Sequence, residues 1–283
     1  MAPSYSTRGS AKSSAPPTQV LLAYALFAVS ALAIYHQVAE GEFSAILTIA
    51  AMLQCLAFAL LGTQSLLSGH AKGISARALG LDALALVCRL SSTTWLNGYL
   101  PVDASGDMVY QLVDVCSLAL VLWLLHRVLV TQRHSYEAAQ DSFAAVPIAF
   151  GCFILALVLH ADMNSRPFFD ALWMTGLFVS VIAVLPQLWL VTRTGGRVEA
   201  LTSHYVAAMA VSRALSGLFM WHARDDITCE PWVEGVNHAI WAILAVHFLH
   251  IALLGDFAYY YVKAVMRGGL AGGLELGDVS CGV

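Results

Sequence analysis

The chain has 283 residues, of which 59% are apolar and only 11% are Asp, Glu, Lys or Arg, and its net charge is −4. A soluble domain draws about a quarter of its residues from those four charged types, so this chain lacks the charge to cover a water-facing surface. A soluble multidomain enzyme is excluded, and the acidic balance offers no basic face to nucleic acid. The six cysteines are scattered, most of them in apolar runs, without a CxxC pair or a His/Cys cluster. Neither a zinc site nor a disulfide scaffold is indicated, and no metal or cofactor is expected.

In chain order, residues 1–18 are Ser-, Ala- and Pro-rich and read as a disordered tail. A membrane helix needs about 20 mostly apolar residues to cross roughly 30 Å of hydrocarbon. Eight stretches qualify, at 19–38, 44–67, 76–95, 108–130, 143–160, 168–192, 203–222 and 237–262. Short polar turns such as Ser68-Gly69-His70 and Thr194-Gly195-Gly196 join them, and none is long enough to be a domain outside the membrane. The first stretch also has features of a cleaved secretory signal, with Arg8 and Lys12 before an apolar run and an Ala31-Leu32-Ala33 site, and of an organelle transit peptide. Its apolar run continues past Ala33, so an uncleaved helix over 19–40 is expected. Cleavage would leave the other seven spans in the same orientation.

The charges test this count. Ten of the fourteen basic residues fall in segments that would share one side: Arg8, Lys12, Lys72, Arg77, Arg127, Arg133, Arg193, Arg197, Lys263 and Arg267. The other side holds Arg166 and Arg224 against ten acids, among them Glu40, Glu42, Asp162, Asp170, Asp225, Asp226 and Glu234. Basic short loops stay cytosolic, so both termini are expected in the cytosol and the acidic side in the lumen.

Five charges remain inside the spans: Arg89, Arg213, Asp82, Asp114 and Asp256. An ionised side chain at mid-bilayer costs about 2.5–3.5 kcal/mol on insertion scales, so each must face a partner or a watery cavity. Two guanidiniums at similar depth would make a receptor for a carboxylate, because arginine presents a planar fork of donors. The alternative is that each arginine closes a salt bridge with Asp82, Asp114 or Asp256 and locks the bundle. His160, His222 and His238 near the acidic ends of spans are weaker candidates, more simply read as solvated. The tryptophans and Tyr259-Tyr260-Tyr261 fit interfacial belts. No nucleophile elbow, phosphate loop or HExxH motif points to an enzyme.

Three segments resemble the ER lumen protein-retaining receptor (KDEL receptor) family. The strongest is Val184-Leu185-Pro186-Gln187-Leu188, then Thr194-Gly195, Thr202-Ser203-His204-Tyr205 and Arg213; the others are Gly73-Ile74-Ser75 with Arg89, and Asp256-Phe257-Ala258-Tyr259 running to Arg267-Gly268. The extra first helix and the Asp256-to-Lys263 ending look most like a plant-type receptor-like subgroup. The resemblance implies an all-α multi-pass membrane protein. Residues 44–268 would form a seven-helix bundle of two parallel three-helix repeats joined by the 143–160 linker, as in PQ-loop and SWEET proteins, with 269–283 a cytosolic tail.

It also implies a cargo receptor of ER and Golgi membranes. Its partners would be ER-resident soluble proteins with C-terminal Lys/His-Asp-Glu-Leu signals, the coat machinery of retrograde vesicles, and the lipid bilayer. By position, Arg89 matches the arginine that takes the signal's terminal carboxylate, Arg213 a second pocket arginine and Asp170 a pocket glutamate. Leu90, Ser212, Ser216 and Met220 fall among the ligand-binding positions, the last three where the family has tyrosines and a tryptophan. Asp256 matches an aspartate needed for retrograde movement, and Arg267 and Gly268 the cytosolic return signal. Departures are also plain: Ser180 and Ser92 replace carboxylates, and Leu47 and Gln54 align with an arginine and a pH-sensing histidine. A small-molecule transporter of the same repeat architecture, and a Golgi membrane protein without retrieval activity, are the alternatives.

Overall fold

The structure is a computed structural model that describes residues 18–94, 96, 106–163, 165–193, 197–198, 200–229, 232 and 234–268, with 274–275. All eight expected spans are helical. They are α1 (Thr18–Ala33), α2 (Ala45–Ser68), α3 (Ala76–Thr93), α4 (Gly106–His126), α5 (Ala145–Leu159), α6 (Pro167–Ile182) continued by α7 (Val184–Arg193), α8 (Ala200–His222) and α9 (His238–Gly268). Two of them, α1 and α4, loosen into a π-turn at their ends, over Ile34–Val38 and Arg127–Thr131.

Local chemistry sets the boundaries. Helix α2 stops at Gly69, whose φ of +69° is open to glycine at little cost. Ser75 caps α3, its hydroxyl accepting the Ala78 N–H at 3.1 Å. Pro167 opens α6, where a missing N–H costs nothing. The stretch 168–192, expected as one helix, is broken at Ala183. The reason is Pro186, which has no N–H to donate and whose ring crowds the carbonyl of Ile182 one turn earlier.

Among the described residues, five helical segments are long and apolar enough to cross a membrane: Leu21–Val38, Ala45–Ser68, Met108–Thr131, Pro167–Arg193 and His238–Gly255. Helix α5 is shorter at 15 residues. Helices α3 and α8 fall outside that group because they carry Arg77, Asp82, Arg89 and Arg213 among their polar residues. The polar content that weakens their apolar signal is what the bundle encloses.

Helices α2–α4 form one triplet and α6/α7, α8 and α9 the other, with α5 packed on α6, α3 and α9. The most extensive contacts join the triplets: α2 lies on α8, and α3 on α6. These contacts are counterparts, each setting the first helix of one repeat against the second helix of the other. Each also carries a hydroxyl donating to a main-chain carbonyl across the seam, Ser212 to Ala50 at 2.6 Å and Ser92 to Phe169 at 2.9 Å. Gly176 lets α6 approach α3, since a Cβ there would lie 2.9 Å from the Ala85 carbonyl oxygen. Helix α1 lies outside these triplets, with Ala23, Tyr24 and Phe27 on Leu53, Leu56, Leu60 and Leu201, and the Tyr24 hydroxyl 3.2 Å from His204 Nδ1.

Glu42, Asp162 and Asp226 line one cavity at one end of the bundle, called here the acidic end, and the opposite end, which carries Arg77, is called the basic end. At the basic end two of the sequence motifs meet. Gln187 accepts the Ser75 N–H at 3.0 Å and donates to the Gly73 carbonyl at 2.8 Å, and Gly73 turns at φ +75°. Asp141 takes the Ser75 hydroxyl, the Arg77 N–H and the Tyr136 hydroxyl at 2.8, 3.1 and 2.7 Å. Burial, with Asp141 alongside, pushes the Tyr136 phenol above its usual range. A two-residue antiparallel ladder, β1 (Arg197–Val198) with β2 (Leu274–Glu275), ties the α7–α8 connection to the segment after α9.

Candidate functional site

Four of the five charges that topology could not place, Arg89, Asp114, Arg213 and Asp82, come together between the repeats. On the first repeat, Arg89 of α3 makes a two-pronged pair with Asp114 of α4, Nε to Oδ2 and Nη2 to Oδ1 both at 2.6 Å. Nη2 also reaches Gln54 Oε1 of α2 at 3.3 Å, and the guanidinium stands 5.7 Å from the Tyr110 ring centre. Asp114 is 0% exposed and the Arg89 side chain 18%, so the carboxylate is enclosed and the Nε and Nη2 edge of the guanidinium is spent on it and on Gln54. Of the two readings open for Arg89 in the sequence, ligand receptor or lock, this conformation has it in the lock.

On the second repeat Arg213 of α8 is differently placed. It is 5% exposed, and its Nε is buried without a hydrogen-bond partner. Helix α9 turns two imidazoles inward, His247 and His250, at 5% and 2% exposure, and His247 Nε2 and His250 Nδ1 also lack partners. Gly217 makes room for His247: a Cβ there would lie 3.2 Å from His247 Cβ. Asp82 of α3 completes the group. The Tyr205 hydroxyl donates to its Oδ2 at 3.4 Å, while its Oδ1 has no partner. Asp82 and His250 share a narrow void with Ser180, Val184, Tyr205, Val206 and Met209.

Two larger cavities open at the acidic end. The first, about 430 Å³, is lined by Glu42, Phe43, Leu47, Asp162, Trp173, Phe219, Met220, His222 and Asp226, among others. Neither arginine lines it. Leu47 and Phe219 pack on Tyr110, and this apolar layer stands between the cavity and Arg89. The second cavity, about 520 Å³, takes in Asp170 with His160, Asp162, Trp232 and His238, the Trp232 and His238 rings stacked at 4.0 Å.

The positions picked out in the sequence therefore separate. Met220 lines the first cavity and Asp170 the second. Asp170 is buried in the first turn of α6, where its Oδ1 accepts the Met163 N–H at 3.3 Å. Leu90 is a buried apolar neighbour of Arg89. Ser212 bridges to α2, and Ser216 is bonded back to the Ser212 carbonyl of its own helix at 3.1 Å. Asp256, Arg267 and Gly268 fall on α9, and their side chains lie outside the described residues.

Sequence reasoning named Tyr205 only as part of a motif and missed Tyr110, His247 and His250. A usable signal was present for the last two. They stand three residues apart, hence on one face, within an apolar membrane helix, where polar side chains face the bundle interior. Sorting only Asp, Glu, Lys and Arg overlooked them.

These features define the class: an all-α, multi-pass membrane bundle of two three-helix repeats with a linker helix, an added first helix and an ionisable centre. The family model described as ER lumen protein retaining receptor matches residues 70–224. The chain belongs to the ER lumen protein-retaining receptor family. It is 32% identical over 159 residues to the Dictyostelium discoideum ER lumen protein-retaining receptor, covering 55% of this chain and 68% of that one. It is 26% identical over 192 residues to receptor A of Arabidopsis thaliana, covering 67% and 80%. With the Drosophila melanogaster receptor the identity is 29% over 180 residues, covering 63% and 79%. Arg89 and Arg213 lie within the family match, while His247 and His250 lie beyond its end.

Proposed function

We propose that this chain is a retrieval receptor of the early secretory pathway, returning ER-resident soluble proteins from the Golgi by their C-terminal Lys/His-Asp-Glu-Leu-type signals. The observation that carries this reading is a pair of arginines inside the bundle, Arg213 buried and Arg89 partly buried, in a chain that has an acidic cavity at one end and whose relatives are named ER lumen protein-retaining receptors. The chemistry suits a signal with a basic start and an anionic end. Glu42, Asp162 and Asp226 at the cavity wall complement a lysine or histidine, and a guanidinium below them complements a terminal carboxylate. On this reading the acidic end faces the lumen, both termini are cytosolic, and Asp256, Arg267 and Gly268 serve retrograde movement with the vesicle coat.

Family membership favours this reading over a solute transporter of the same repeat architecture. The test is rescue. In cells depleted of their own receptor, the wild-type chain is expected to restore intracellular retention of a reporter ending in His-Asp-Glu-Leu. Arg89→Ala and Arg213→Ala are expected to fail at comparable expression. Continued secretion of the reporter with well-expressed wild-type protein would remove retrieval as its task.

A further inference from the structure

A solvated ring is the simplest expectation for His238, the first residue of α9, yet the fold sets a thiol and an indole against it. Cys229 Sγ lies 3.7 Å from His238 Nδ1, and the Trp232 ring stacks on the imidazole at 4.0 Å with the planes 15° apart. The thiol also donates to Asn237 Oδ1 at 3.2 Å. Asn237 is itself fixed. Its amide donates to the Ile227 carbonyl at 2.6 Å, and its Oδ1 accepts the Ile240 N–H at 3.0 Å as a cap on α9. On the other side of the thiol, the Thr228 carbonyl accepts the Asp162 N–H at 2.8 Å. Thiol, base and amide thus stand on a braced connection, as a reactive group requires.

Placement separates Cys229 from its fellow cysteines. Cys55, Cys88, Cys116 and Cys152 lie within helices α2 to α5, whereas Cys229 lies between α8 and α9, free and partly exposed. Cys229, Trp232, Asn237 and His238 all lie beyond the family match, which ends at residue 224. His238 and Trp232 also line the 520 Å³ cavity, to which Asp162 and Asp170 add two carboxylates.

We propose that Cys229 and His238 form a thiol-exchange site at the acidic end, and that its substrate is a small cationic disulfide admitted by the cavity beside them. His238 Nδ1 takes the thiol proton, and the thiolate attacks one sulfur of the disulfide. A Cys229–sulfur bond forms, the S–S bond of the substrate breaks, and the leaving thiolate takes the proton from His238. The substrate disulfide is the oxidant and Cys229 the reductant. Asn237 is a positioning residue that holds the thiol, and Trp232 holds the ring. The cavity has the volume of a small-molecule site, and its two carboxylates favour a cation. Exchange removes the S–H that Asn237 accepts, at the residue that caps α9, so the modification reaches the helix that carries His247 and His250. Only the supply of disulfides rests on the retrieval reading, which sets this end in the oxidising lumen.

The experiment uses the full chain in detergent with cystamine and the anionic dithiodiglycolate, and follows the adduct at Cys229 by mass spectrometry. Each rate is divided by that of a free cysteine derivative with the same probe, which removes the difference between leaving thiols. At pH 7 wild type is expected to react with cystamine at least about tenfold faster than His238→Phe, which keeps a ring against Trp232. The gap is expected to close by about pH 9.5, where a thiol ionises without a base. His238→Gln should match His238→Phe, and a wild-type rate in His238→Gln would assign the effect to packing and overturn the proposal. Equal rates in wild type and His238→Phe at pH 7, or no adduct at Cys229 in wild type, would also overturn it. Cystamine is expected to lead dithiodiglycolate severalfold, and a lead for the anion would sink the cationic substrate. No readout here involves the retention signal, so failure leaves the retrieval reading standing, and failure of the rescue test leaves the thiol site standing.

Discussion

Arg89 and Arg213 occupy corresponding helices of the two repeats, but the third helix of each presents them with opposite company. Helix α4 offers Asp114, which grips Arg89 through both oxygens, whereas α9 offers two imidazoles that each keep one buried nitrogen without a hydrogen-bond partner. The first repeat has thus completed its buried charge internally, and the second has left one incomplete. A completed pair holds helices in place and needs nothing from outside. An incomplete one, at a depth where water is scarce, is where a ligand can supply the missing partner.

The largest effect should come from opening the closed half. Asp114→Ala leaves Arg89 enclosed and unpaired, and such losses cost about 3–5 kcal/mol. Thermal unfolding in detergent should show a protein that is unstable or fails to accumulate, with much of the loss recovered by adding Arg89→Met. Equal stability of Asp114→Ala and wild type would mean that the pair is not the lock we describe.

A middle effect tests the seam that carries Arg89. Gly176→Val places side-chain atoms where the Ala85 carbonyl already lies 2.9 Å from an ideal Cβ, so the α3–α6 contact must part. A destabilisation of about 1–3 kcal/mol is expected. Because the Arg89 N–H lies 3.3 Å from the same ideal Cβ, the shift should also reach the closed pair. An unchanged unfolding temperature would show that α6 can withdraw without loss.

The smallest effect compares the seams directly. Ser92→Ala and Ser212→Ala each remove one hydroxyl-to-carbonyl bond between repeats, worth on average about 0.6 kcal/mol inside a membrane bundle. Similar small losses are expected in both. A much larger loss for Ser212→Ala, beside Arg213, would indicate that the second repeat leans on that bond because its charge is unpaired.

Much of this architecture was legible before any coordinates. Apolar run length located eight helical spans, because it is a property of the chain read locally. The Pro186-Gln187 motif was legible as a motif. That Gln187 ties down Gly73 and Ser75, more than a hundred residues earlier, was not, since no periodicity records which helix ends meet.

The sequence alone determined that five charges lie in lipid-spanning segments, and that two of them are arginines on matching helices. Only the tertiary structure decided their partners. Asp82 and Arg89 stand seven residues apart on α3, a spacing that puts them on one helix face, yet Arg89 turns to Asp114 while Asp82 turns to Tyr205. The physical reason is that a buried charge is satisfied by whatever neighbouring helices bring within hydrogen-bond distance, and helix packing, not position along the chain, sets that company.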